Sequence, residues 1–417
     1  MSDSLLVSSA ITNFAAVVDA TTRYTVISGV CVNVATTEGE TEVPVRYAGT
    51  FSNAFIYIPS NSASVTSTVT LQQSRADTAL SISITSDQTG VKEDTSNTVS
   101  FAATDEAEWE ITVPTESGTN TLNISLFGVQ FTPDNASNCV KIFGGGRSRT
   151  INDASTTTFT RFQARGTEGT DESTVEWRIR QTFTASNFYT YVTSNARTTD
   201  TTLGTRKNSS AGGQSVTYTS GQTGAKEDTS NTDSLVAGDD FNYYVTTSTG
   251  TENLVCSVAS VTLLNTGGFF PMLNGEAGSV PANNTRFWAV DGGDVGNATE
   301  SMTQIYPQFT FTASELGSYV SANTGVSLAT NITIRDNGGD SAVTVQYLAG
   351  QTGLKNDSSN TTEITAATDE INYEVTCLDL TGGVTVTWIG CLGSTAGVTP
   401  PSVTASYIPT LLFMGAG

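Results

Sequence analysis

Apolar and polar residues alternate with a period of two along most of this chain. Clear examples are TVTLQQ (68–73), ALSISITS (79–86), NLVCSVASVTLL (253–264) and GVTVTWIG (383–390). A period of two indicates strands with one buried face, and their spacing of roughly 8–12 residues is typical of a sandwich or barrel. No stretch has a convincing helical period. The pattern therefore predicts an all-β protein.

One eleven-residue sequence occurs three times in nearly identical form. It reads QTGVKEDTSNT at 88–98, QTGAKEDTSNT at 222–232 and QTGLKNDSSNT at 351–361. Each copy is followed by a strand pattern with an aromatic residue, at Trp109, Tyr243 and Tyr373. Successive copies begin 134 and 129 residues apart, which is about the length of one domain. The sequence therefore predicts three tandem antiparallel β-sandwich domains.

We place the three predicted domains at 1–137, with an N-terminal arm, at 138–267, and at 268–417, with an apolar C-terminal tail. About eight strands per domain favour a jelly roll, with an immunoglobulin-like Greek key as the alternative. The GGGRSRT sequence (144–150) is interpreted as the linker between the first and second domains.

The repeated sequence has a structural interpretation. Gln-Thr-Gly predicts a tight turn after an apolar strand, and Lys-Glu-Asp-Thr-Ser-Asn-Thr predicts a solvated connector whose polar side chains bind the local backbone. The next strand is expected to begin at Asp105, Asp239 or Asp369.

Charge and cysteine content narrow the class of protein. The formal charge of −22 repels phosphate, so nucleic acid is not an expected partner. The five cysteines have no zinc or disulfide spacing, and they are expected to be buried and reduced. They are Cys31, Cys139, Cys256, Cys377 and Cys391.

The ends of the chain bear on where it is made and how it assembles. The sequence predicts no secretion signal and no membrane span, which indicates assembly in a cytoplasm. The apolar segments LLVSSAITNFAAVV (5–18) and YIPTLLFMGAG (407–417) are either assembly surfaces or the outermost strands of the flanking domains.

The sequence contains few residues suited to catalysis or metal binding. The chain has no histidine, which removes Ser-His-Asp and Cys-His mechanisms and the commonest zinc ligand. Acidic pairs such as Asp171–Glu172 and Asp239–Asp240 could serve a glycosidase, but adjacent acids on a strand face opposite ways. DGGD (291–294) and DNGGD (336–340) are interpreted as turns instead of calcium loops. We therefore predict no enzymatic activity, with no catalytic, cofactor-binding or metal-binding residue.

Several short sequences carry a resemblance to a known family. They are TRY (22–24), TRF (160–162 and 285–287), TEG (37–39 and 167–169), AGTFSN (48–53), the DTSNT segments and AGDD (237–240). In this order they resemble a repeat of structural proteins of tailed bacteriophages. The resemblance implies a jelly-roll module on the virion surface, as a capsid decoration, head-fibre or tail-associated protein. It implies other virion proteins and further copies of the chain as partners, and no catalytic residue.

Two alternatives remain open from the sequence. One is a tail-fibre module that binds host glycans, with Trp177, Trp288 and Tyr189 stacking on sugars. The other is a subunit of an extracellular filament, whose apolar terminal segments add a strand to the next subunit.

Overall fold

The computed structural model describes 3–10, 17–18, 21–31, 34–115, 120–144, 146–151, 156–163, 169–250, 252–293 and 295–395. These residues form strands, turns and two short 3₁₀ helices, and they contain no helix long and apolar enough to cross a membrane.

The first part of the chain forms module 1. Its strands are β1 (Ser4–Ala10), β2 (Val17–Val18), β3 (Thr21–Thr25), β4 (Gly29–Cys31), β5 (Val43–Pro44), β6 (Gly49–Ile58), β7 (Ser60–Asn61), β8 (Ser67–Gln73), β9 (Ala76–Ile84), β10 (Gly90–Phe101), β11 (Glu106–Val113), β12 (Thr121–Asn123) and β13 (Leu126–Pro133).

Module 2 follows with β14 (Cys139–Phe143), β15 (Gly146–Ile151), β16 (Thr157–Thr160), the 3₁₀ helix η1 (Glu172–Thr174), β17 (Trp177–Arg178), β18 (Phe183–Asn195), β19 (Thr201–Lys207), β20 (Ser210–Tyr218), β21 (Gly224–Leu235), β22 (Asp240–Thr247) and β23 (Leu254–Asn265).

Module 3 completes the described chain with β24 (Phe269–Asn274), β25 (Gly278–Val280), β26 (Asn284–Trp288), the 3₁₀ helix η2 (Glu300–Met302), β27 (Phe311–Asn323), β28 (Thr330–Asp336), β29 (Gly339–Tyr347), β30 (Gly353–Ile364), β31 (Ile371–Cys377) and β32 (Val384–Ser394).

Each module has eight principal strands in the same two sheets. In sheet I the first strand pairs with the eighth, the eighth with the third and the third with the sixth. In sheet II the order is second, seventh, fourth, fifth. The sheets are β1-β13-β6-β10 and β3-β11-β8-β9, β14/β15-β23-β18-β21 and β16-β22-β19-β20, and β24/β25-β32-β27-β30 and β26-β31-β28-β29. All pairs within these sheets are antiparallel, which is the jelly-roll arrangement and confirms the predicted all-β fold of three tandem sandwiches.

The alternating pattern buries one face of each strand, as the sequence predicts. On β9, for example, Leu80, Ile82 and Ile84 are buried while Ser83 is exposed. The repeated aromatic positions Trp109 and Tyr373 are fully buried at the centre of their modules. The two-residue period of the sequence therefore translates directly into the sandwich cores.

The repeated eleven-residue sequence is a turn followed by a strand. The predicted tight turn is present: Gly90, Gly224 and Gly353 adopt φ values of +78°, +89° and +90°, where a side chain is strained. The predicted solvated connector is wrong, because its residues lie in β10, β21 and β30, the sixth strand of each module. Each of these strands pairs with the third strand on one side and lies at the edge of its sheet. The other side of an edge strand is open to solvent, which accounts for the exposed polar residues.

The Asp of the repeat explains why a polar segment can remain a strand. The register of β10 against β6 shifts between Asp94 and Thr98, and the Asp94 carboxylate accepts the backbone N–H groups of Ser96 and Asn97 at 3.1 Å. It also accepts the Ser81 N–H at 3.0 Å. Asp228 and Asp357 make the corresponding bonds in the other modules. The side chains do bind the local backbone, as predicted, but they stabilise a β-bulge on an edge strand.

The expected linker at 144–150 is also wrong. Residues from Gly146 form β15, which pairs with β23 and belongs to the first strand position of module 2. Strand β4 pairs in parallel with both β1 and β15, so the sheets I of modules 1 and 2 are continuous.

Part of the N-terminal segment and four of the five cysteine side chains lie within the described residues. The segment from Leu5 begins as β1, the first strand of its own module, while 407–417 lies outside the described residues. Cys139, Cys256, Cys377 and Cys391 are buried, and the side chain of Cys31 lies outside the described part.

Candidate functional site: the junctions between the modules

The acidic pairs singled out in the sequence have structural partners. The Asp171 carboxylate accepts the Ser173 N–H at the start of η1. Glu172 forms a bidentate ion pair with Arg206. Asp239 pairs with Lys207, and Asp240 pairs with Arg178. The described residues hold no group of three or more acidic, cysteine or histidine side chains suited to a metal ion.

The two Asp-Gly strings also serve the fold. Asp340 forms an ion pair with Arg335 across the hairpin that joins β28 to β29. Asp291 is completely buried against Lys141 of module 2, and Asp294 lies outside the described residues. The first string therefore is not a surface turn but part of a contact between modules.

The aromatic residues proposed to stack on sugars are in the wrong place for that role. Trp177, Trp288 and Tyr189 are 4%, 1% and 3% exposed. A side chain must present a free ring face to bind a sugar, so this form of the glycan hypothesis is wrong for these three residues.

The three modules contact one another in a cyclic order. The core of module 1 extends to Tyr189 and Val258 of module 2, and the core of module 2 extends to Trp388 and Leu392 of module 3. The core of module 3 extends in turn to Phe55, Leu126 and other residues of module 1. The third contact returns to the first module, so the head-to-tail arrangement closes into a ring.

The same structural position makes the contact each time. Tyr57, Tyr191 and Tyr319 occupy matching sites on the third strand, opposite Val91, Ala225 and Leu354 of the sixth strand. Side chains alternate on a strand, so Ile56 and Ile58 enter the core of module 1 while Tyr57 packs against module 3. The outward face of each sheet I is therefore covered by the neighbouring module.

Polar contacts reinforce the junction of modules 1 and 2. Arg46 Nε and Nη2 donate to the two carboxylate oxygens of Glu227, at 2.8 and 2.6 Å. These hydrogen bonds raise the pKa of Arg46 above its ordinary value. A paired, bidentate geometry gives both strength and fixed orientation. Ser257 adds a 2.8 Å bond from its hydroxyl to the Glu40 carbonyl.

The other two junctions use different polar residues, and one of them uses the same position of the repeat. Between modules 3 and 1, Gln308 donates to Glu93 at 2.9 Å, and Glu93 is the counterpart of Glu227 in the repeat. Between modules 2 and 3, Arg161 donates to the Thr387 carbonyl at 2.7 Å. The repeat therefore uses one of its positions for contacts between modules.

The junction of modules 2 and 3 does not have the counterpart of the Arg46–Glu227 pair. Arg178, the counterpart of Arg46, turns to Asp240 of its own module, and Asn356 replaces the glutamate. A cleft of about 170 Å³ remains, lined by Arg178, Asp240, Tyr319, Leu354 and Trp388 among others.

The first strands of the three modules meet at the centre of the ring. Ser4 on β1 donates to the Val140 carbonyl on β14 at 2.5 Å. Lys141, next on β14, donates to the Leu5 carbonyl and contacts Asp291 of module 3. Module 2 is therefore joined to both neighbours at one buried point.

Sequence reasoning located the repeat but not these junctions. Arg46 and Glu227 are 181 residues apart, and no local pattern connects them. The sequence did contain one signal. Lys141 stands within the otherwise apolar strand Cys139–Phe143, where an apolar residue would be expected.

Comparison with known proteins gives few matches. No protein family model and no curated protein matches the chain. A solved structure described as the triple jelly-roll fold and turret assembly of an archaeal virus is 13% identical, with 85% of this chain and 81% of that chain covered and a TM-score of 0.20. A second, from the atomic structure of Sulfolobus Turreted Icosahedral Virus, is 12% identical, with 84% and 79% covered and a TM-score of 0.17. The fold described above follows from the strand order of this chain alone.

Proposed function

We propose that this chain is a non-enzymatic structural protein on the surface of a bacteriophage particle, assembled in the host cytoplasm. Its partners would be other virion proteins and further copies of itself. Its role would be that of a capsid decoration, a head-fibre or a tail-associated component, and the proposed domains are 1–137, 138–267 and 268–417.

The observation that carries this proposal is the closed ring of three jelly rolls within one chain. Such a ring presents three related surfaces around one axis, as a trimer of single jelly rolls would. A local threefold position of a shell is a place where this shape fits without further copies. The sequence resemblance to phage structural repeats points to the same role.

The three modules have diverged in a way that suits attachment to unlike neighbours. The junction of modules 1 and 2 has an Arg–Glu pair, whereas the equivalent junction of modules 2 and 3 has a cleft. Identical subunits cannot differ in this way, but fused modules can. A fused ring can therefore present a different surface to each neighbour in a particle.

The filament alternative loses one of the two terminal segments on which it depends, while the other, 407–417, lies outside the described residues. Leu5, Leu6 and Val7 of β1 are buried within their own molecule, where β1 pairs with β13. A strand already used in its own sheet is not available for donation to another subunit. No described residue favours the glycan alternative, so neither is proposed.

A protein inventory of purified particles tests the proposal. We expect the chain in particles of the virus that encodes it, at a fixed ratio to the major shell protein and retained through a density gradient. A reconstruction of the particle that shows a three-lobed unit on its outer surface would locate the chain there. Absence from purified particles, with the shell protein present as the loading control, would contradict the proposal.

A further inference from the structure

Lys141 and Asp291 form a charged pair at the point where all three modules meet. Their side chains are 1% and 0% exposed. The Lys141 amine contacts Asp291 Oδ2 of module 3 and donates to the Leu5 carbonyl of module 1. Keeping both side chains ionised away from water has a large cost in free energy.

Burial drives both groups toward their neutral forms. It lowers the pKa of Lys141 and raises the pKa of Asp291, and their mutual attraction opposes both shifts. A neutral amine has a lone pair, and a neutral carboxylic acid has a hydroxyl that can leave as water. Because the two are in direct contact, reacting groups are already positioned side by side.

The acid is also held in a polarising environment. Leu273 N–H donates to Asp291 Oδ1 at 3.2 Å, and the Gln163 side chain hydrogen bonds to the same carboxyl group. Gln163 is fixed in turn, because its own Oε1 accepts the Gly292 N–H at 2.6 Å. Donors on a carbonyl oxygen stabilise the negative charge that develops there during attack on the carbon.

We propose that Lys141 and Asp291 condense into an amide cross-link between modules 2 and 3. The lone pair of Lys141 Nζ attacks Asp291 Cγ, so that the Nζ–Cγ bond forms. The bond from Cγ to the Oδ2 hydroxyl breaks, and that hydroxyl leaves as water with a proton from Nζ. Oδ1 remains as the amide carbonyl, held by Leu273. No atom changes oxidation state, and no other reactant is required.

The product fits the same surroundings as the pair. An amide nitrogen keeps one N–H, which can continue to donate to the Leu5 carbonyl. The amide also replaces two ionisable groups with one neutral group, which removes the cost of burying charge. A covalent bond between residues 150 positions apart would tie the ring together at its centre.

The mass of the denatured full-length protein tests this inference. We expect a mass lower than that of the sequence by one water, and a branched peptide joining residue 141 to residue 291 after proteolysis. The variants Lys141→Arg and Asp291→Ala are each expected to have the mass calculated from their sequence, with no loss of water. Lys207 and Asp239, an ion pair at 2.9 Å with side chains 32% and 10% exposed, serve as the internal control and are expected to stay unlinked.

The wild-type chain alone decides the result, whether or not the variants fold. Full mass in wild-type protein that unfolds in one cooperative transition would overturn the inference. A water loss located at any other pair of residues would overturn it equally. Neither result bears on the presence of the chain in virus particles, so the two proposals can fail separately.

Discussion

At the scale of single residues, the buried acid Glu108 makes the stability of the fold depend on pH. Glu108 on β11 is fully buried, with its carboxylate accepting the Gly39 N–H at 3.1 Å and the Thr41 hydroxyl at 2.5 Å. Burial raises its pKa to about 7, although these two hydrogen bonds oppose the shift. The same loop reaches module 2 through the Glu40 carbonyl, so this acid lies beneath a junction of the ring.

The raised pKa of Glu108 predicts a specific pH dependence of stability. A carboxyl group whose pKa is higher when folded contributes stability below its unfolded value of 4.5, and this contribution is lost as the pH rises through about 7. Glu108→Gln removes the titration while its amide can still bind Gly39 and Thr41. We expect the stability of the variant relative to wild type to increase by about 2.5 kcal/mol between pH 5 and pH 8. Urea unfolding at both pH values measures the difference, and equal pH dependence of the two proteins would contradict the assignment.

At the scale of elements, the repeated sequence shows what could be predicted and what could not. The turn at Gly90 and the period-two strands follow from local preferences, and both are readable without a structure. The segment after Lys92 was misjudged because polar, exposed residues resemble a loop, whereas an edge strand with a bulge has the same composition. The residues GGGRSRT were misjudged for a related reason, since Gly-rich strands that pair between modules lack an alternating pattern.

The bulge on β10 makes the Asp of the repeat a stability determinant. Asp94→Ala removes the acceptor of the backbone N–H groups of Ser81, Ser96 and Asn97. We expect a loss of about 1–3 kcal/mol in the free energy of unfolding, because three backbone N–H groups lose the charged acceptor that they share. Thr95→Ala, at the exposed neighbouring position, is the matched control and is expected to change stability by less than about 0.5 kcal/mol. Equal effects of the two substitutions would show that the carboxylate is not what stabilises the bulge.

At the scale of the whole molecule, contacts between distant parts of the sequence decide the architecture. Local sequence patterns carry no information on which modules contact one another in space. The equivalent tyrosines Tyr57, Tyr191 and Tyr319 each pack on a different module, and that relation appears only when the modules are assembled. The three sandwiches were therefore predictable, and the ring was not.

The Arg46–Glu227 pair should couple modules 1 and 2 energetically. A double-mutant cycle with Arg46→Ala, Glu227→Ala and the double variant is expected to give a coupling energy of about 1–2 kcal/mol, since the pair is bidentate and only partly exposed. Arg178 and Asp240, which pair within module 2, provide the matched cycle for a contact that does not cross a junction. Strictly additive effects of Arg46→Ala and Glu227→Ala would mean that the pair does not connect the modules in solution.

Small-angle X-ray scattering of the monomeric chain tests the closed ring most directly. Three modules in a ring, with module 3 returning to module 1 through Gln308 and Glu93, predict a radius of gyration of roughly 22–25 Å for a chain of this length. The same three modules arranged in a row would give roughly 30 Å or more by the same scaling. A value in the lower range agrees with the ring, and a value in the upper range, with an elongated distance distribution, would contradict it.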